Sequence, residues 1–173
     1  MTKSDMKSRK IFLISFFLVL LIATGFLREQ LFRSINYIIL YRDVNPFILG
    51  KSFITDWMNG FSNHDLLLLK WILTFVFSFA FLIYTISLSK IIFPKSSFTR
   101  FILFIYAAGI FISCAAILLG IIIPTINGKT YYFARLIMGA EQSPLLSGII
   151  IMALKAFDSI ENNSTKNFNQ KLE

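Results

Sequence analysis

The residues with the clearest capacity for chemistry lie in the last apolar stretch, where Arg135, Glu141 and Pro144 interrupt a run of hydrophobic side chains. A carboxylate inside a membrane is costly, so its default reading is a functional or a paired group. Arg135 is the first partner to consider. Six residues turn a helix through about 600°, which sets the two side chains on different sides. They therefore need separate partners or a break in the helix, and Pro144 is placed to provide one. The plainer alternative sets Glu141 about two turns from the outer boundary, reaching water or Lys129 and fixing the depth of the helix. Proton transfer or ion coordination would require more buried polar groups. The apolar runs offer Ser and Thr but no second acid.

Other chemistry is poorly supplied. Cys114 is the single cysteine and His64 the single histidine. A thiolate nucleophile needs a nearby base or positive charge. Cys114 falls near the middle of an apolar run and His64 in a polar loop, so no Cys–His pair is expected. Cys114 then reads as a small buried apolar residue, with Arg135 as its one conceivable partner. One histidine makes no metal site, and there is no glycine-rich phosphate loop or zinc spacing. No cofactor is expected. A different kind of pattern is carried by Gly109, Ser113, Ala116 and Gly120, spaced four, three and four. That spacing gathers small residues on one helix face, which lets another helix approach closely where no hydrophobic effect drives packing. The partner helix belongs to this chain or to another protein.

These residues must be positioned by membrane helices. Of the 173 residues, 56% are hydrophobic and only 15% charged, and the mean hydropathy is +0.71. A soluble domain of this length needs more polar cover. The net charge of +8 does not read as a nucleic-acid signal, because the basic residues cluster at the ends of apolar runs, where they meet lipid headgroups. Four spans are expected, at about 11–27, 67–93, 101–123 and 132–157. The first follows a basic N-terminus and reads as a retained helix rather than a signal peptide, since no small-residue cleavage site follows it. Ser62 or Asn63 caps the second, with Asp65 in its first turn, and Pro94 ends it. No charge occurs between Arg100 and Lys129, which makes the third the clearest.

Lys3, Lys7, Arg9 and Lys10 precede the first span, and Lys90, Lys95 and Arg100 flank the link between the second and third. The positive-inside rule places both segments in the cytoplasm. The fold expected is an all-α membrane protein, a bundle of about four transmembrane helices with both ends inside. Residues 28–66, with balanced charges, form the first outer loop. Within it Leu27, Leu31, Ile35, Ile38 and Ile39, and then Phe53, Trp57, Met58 and Phe61, recur at helical spacing. They suggest two short amphipathic helices in the interface plane. Residues 1–157 thus make one transmembrane domain, and residues 158–173 read as a polar, disordered tail.

The layout resembles the exosortase F system-associated membrane proteins of Bacteroidota. The residues that carry the resemblance are Phe26–Phe32 (FLREQLF), Asn45-Pro46-Phe47, Tyr131-Tyr132-Phe133-Ala134-Arg135 and Gln142-Ser143-Pro144-Leu145. Gly139-Ala140-Glu141 departs from the family's tighter Arg-to-Pro spacing. The resemblance implies a non-enzymatic accessory subunit beside a membrane-embedded sorting transpeptidase, with the bilayer and that enzyme as partners. The alternative is a small transporter or channel subunit that uses Glu141 and Arg135.

Overall fold

The computed structural model describes residues 3–41, 57–58, 60–94, 98–123, 125 and 127–170. They form five helices: α1 (Lys3–Tyr41), α2 (Asn63–Ile92), α3 (Thr99–Ile122), α4 (Asn127–Glu141) and α5 (Pro144–Gln170). No strand occurs among the described residues. Ser8–Tyr41, α2 and α3 are each long and apolar enough to cross a membrane, and Gly128–Glu141 with Pro144–Ile160, bent by 64° at their junction, meet the same test only as a pair, as a broken span or a re-entrant loop. The chain is an all-helical, multi-pass membrane protein.

The helix ends follow local chemistry. Ser62 caps α2: its Oγ accepts from the Asp65 amide at 3.2 Å, while the Asp65 carboxylate accepts from the Ser62 amide at 3.2 Å. Two amides that the first turn leaves orphaned are thereby satisfied reciprocally. At its other end α2 stops at Ile92, two residues before Pro94. There the Lys10 ammonium donates to the Ile92 carbonyl at 3.2 Å, placing a cation at the negative end of the helix dipole.

α1 corrects two expectations. It does not end at Leu27 but continues unbroken to Tyr41, so residues 28–39 extend the first span rather than forming a separate interfacial helix. No Gly or Pro follows Gly25 within it, and adding residues to an existing helix costs far less than starting a new one. The apolar positions Ile35 and Ile38 bury completely against Leu66 and Met58, which gives the extension its tertiary support. Of the second amphipathic piece, Trp57 and Met58 are helical, while Phe53 lies outside the described residues, as do Asn45-Pro46-Phe47. The tail expectation changes as well, because α5 runs past residue 157 to Gln170.

α2 is the central helix, touching all four others. The core gathers Leu21 of α1, Phe81 and Leu88 of α2, Ile102 and Tyr106 of α3, and Ile150 and Leu154 of α5. Embedded beside it are three hydroxyls from three helices. Thr85 Oγ1 lies 2.8 Å from Ser147 Oγ and 3.2 Å from Tyr106 Oη, and also donates to the Phe81 carbonyl at 2.8 Å. Such hydroxyl contacts join helices at about 0.6–2 kcal/mol each.

Candidate functional site

The break between α4 and α5 organises the site. Pro144 has no amide hydrogen to give the Ala140 carbonyl, four residues back, so the α4 ladder ends there. The Ser143 hydroxyl takes over that carbonyl at 2.7 Å. Its oxygen also accepts from the Leu146 amide at 3.4 Å, which starts α5 with Pro144 in the first helical position. α1 packs into the break. A Cβ on Gly25 would lie 2.9 Å from Pro144 Cγ, so glycine allows this close approach. One turn further on, Arg28 Nε donates to Gln142 Oε1 at 3.0 Å.

Glu141 and Gln142 are both buried and point to different neighbours. Gln142 meets Arg28 of α1. Glu141, only 3% exposed, sits against α3, where a Cβ on Gly109 would collide with its Oε1. Both carboxylate oxygens are buried without a hydrogen-bond partner among the described residues. This overturns the alternative in which Glu141 reaches water or Lys129: the α3 helix covers it. The small-residue face is filled by the chain's own α4. Ser113, Ala116 and Gly120 are buried, and Ser113 Oγ donates to the Ala134 carbonyl at 3.4 Å.

Arg135 is not brought to Glu141. It lines a cavity of about 400 Å³ together with Arg28, Arg33 and Lys70, with Glu29 as the acid among them. The cavity lies where α1 ends and α2 begins. Arg33 donates to Glu29 at 3.4 Å, and Arg28 approaches the same carboxylate at 4.0 Å. Lys70 donates to the neutral Asn36 Oδ1 at 2.7 Å. The Arg28 guanidinium lies over the Phe32 ring at 5.1 Å, a cation–π contact.

Sequence reasoning missed most of this cavity. Arg28 and Arg33 read as loop charges only when the first span is ended at Leu27. Lys70 carries a usable signal, since it interrupts a run of leucines one residue before Trp71, and the rule that singles out Glu141 applies to it equally. Cys114 proves exposed rather than buried and is absent from the cavity lining. It projects from the bundle because Ser113 and Ala116 take the inward positions. His64 is exposed at the start of α2. No group of three or more metal-ligating side chains occurs among the described residues. No family model, curated protein or solved structure matches the chain.

Proposed function

We propose that this chain is a non-enzymatic accessory subunit of a bacterial inner-membrane complex, seated with both ends in the cytoplasm and serving an exosortase-type sorting system. The observation that carries the accessory role is the outward side of α1. Phe12, Phe16, Val19, Ile22 and Phe26 stand exposed at spacings of four, three, three and four. That spacing lines them along one side of the helix, an apolar face that the chain's own helices leave uncovered. In a bilayer, packing along such a face drives helix association. The link to protein sorting rests on the resemblance carried by residues 26–32, 45–47, 131–135 and 142–145. Affinity purification in mild detergent tests the reading. A stoichiometric membrane partner is expected, and Phe16→Ala with Phe26→Ala should reduce its recovery. A lone monomer across several detergents refutes the accessory role.

A second reading, a small transporter or channel subunit, is favoured by Glu141, whose buried oxygens meet no hydrogen-bond donor among the described residues. Glu141→Gln should then change proton or ion flux in reconstituted vesicles. Flux equal to that of empty vesicles for both forms removes it.

A further inference from the structure

We propose that the cavity between α1, α2 and α4 binds the phosphate headgroup of an anionic membrane lipid. Four basic side chains line it, Arg28, Arg33, Lys70 and Arg135, against the single acid Glu29. Glu29 is already engaged by Arg33 and Arg28. Lys70 and Arg28 otherwise donate to neutral amide oxygens, of Asn36 and Gln142. Arg135 meets no acceptor among the described residues. Arg28 and Lys70 are partly buried while Arg33 and Arg135 are exposed, so the cations gathered from three helices, with one acid among them, raise the local positive potential and draw an anion into the space. Guanidinium and ammonium groups converging on one space match the oxygens of a phosphate, which accepts several charge-assisted hydrogen bonds at once.

The rest of the lining selects an amphiphile over a free ion. Phe32, Leu40, Leu67, Trp71, Ile117 and Met138 contribute apolar wall beside the cations. Leu40, Leu67 and Trp71 are exposed at the bundle surface, so the apolar side of the cavity is continuous with the surface that lipid covers. Tyr37, Tyr41, Trp71 and Tyr131 surround the same level, as aromatic side chains do at headgroup depth. A headgroup held by Arg135 and Lys70 would leave its acyl chains along Leu67 and Trp71. The inference is independent of the sorting-system reading.

Native mass spectrometry of the full chain, released from nanodiscs of mixed phosphatidylglycerol and phosphatidylcholine, tests the proposal. One phosphatidylglycerol is expected to be retained in preference to phosphatidylcholine. Arg135→Gln and Lys70→Gln should each lower that retention by about tenfold or more. Lys90→Gln, which removes an exposed cation at the far end of α2, should leave it unchanged. Arg135 is exposed and holds no partner among the described residues, so its variant is expected to fold, and circular dichroism of each variant checks this. Equal retention of both lipids overturns the proposal, as does an equal loss with Lys90→Gln. Displacement of the bound lipid by millimolar inorganic phosphate would assign the cavity to a free anion and overturn the lipid assignment.

Discussion

Replacing Gly109 by alanine should strain the bundle at one point, and removing the Glu141 side chain should relieve it. The added methyl would occupy the position of Glu141 Oε1 and lie 2.8 Å from its carboxyl carbon. Ser113, Ala116 and Gly120 hold α3 against α4 along the same face, so the methyl is accommodated by displacing the buried Glu141 carboxylate, the mobile end of its side chain, rather than by parting the helices. Overpacking of this kind costs about 1–3 kcal/mol. In Glu141→Ala the methyl meets no carboxylate, so Gly109→Ala should cost close to nothing in that background. The coupling between the two substitutions is then about 1–3 kcal/mol, within the range seen for residues in contact. Thermal unfolding of the four proteins in one mild detergent, followed by circular dichroism, reads it. At about 2–4 °C per kcal/mol for a chain of this size, Gly109→Ala should lower Tm by several degrees in the native background alone. Equal losses in both backgrounds would refute the placement of Glu141 against Gly109.

Other outcomes follow from the remaining contacts. Ser62→Ala should destabilise by about 0.5–2 kcal/mol through loss of the cap on α2, and hydrogen exchange should rise at the amides of Asn63–Leu66. Gln142→Leu removes the acceptor of the Arg28 Nε hydrogen bond and should cost about 0.5–1.5 kcal/mol, read as a lowered Tm in detergent. Gly25→Leu drives a side chain into Pro144 and should weaken α1 packing, detectable as faster proteolysis, whereas Ala23→Leu, at an exposed position two residues earlier, should not. With Cys114 replaced by Ser, single cysteines at Ser34, Ser97, Thr130 and Ser164 should label from outside, inside, outside and inside. Labelling of 130 and 164 from the same side refutes a complete fourth crossing.

Features encoded within a few residues are legible in the amino-acid sequence. The Ser62–Asp65 cap is a local pattern, and so are the stop at Pro94 and the uncharged run after Arg100. The interruption of the last span at Pro144 belongs with them, because a missing amide donor acts on the residue four positions back. What escapes depends on distance along the chain. Arg28 looks like the end of a span when charge is taken as the boundary, yet a helix continues through a charge whenever its next apolar turn finds a surface, as Ile35 and Ile38 do on Leu66. The cationic cavity needs Arg28, Lys70 and Arg135 from three helices, and no short window of the chain contains two of them. Glu141 is legible as unusual, but its burial under α3 is not, because that cover comes from a glycine, whose missing side chain carries no hydrophobic signal.

The hydroxyl cluster has a consequence for the order in which the protein is made. Thr85 and Tyr106 lie on helices that leave the ribosome well before α5, while Ser147, Ile150 and Leu154 arrive after them. Until then the central helix faces lipid along the groove that α5 later occupies. Polar side chains in hydrocarbon seek partners, so this half-built bundle is the stage at which an insertion chaperone or a misplaced neighbouring helix would compete for the groove. Synthesis of α5 thus closes the window for misassembly, and a stall just before Pro144 would hold it open.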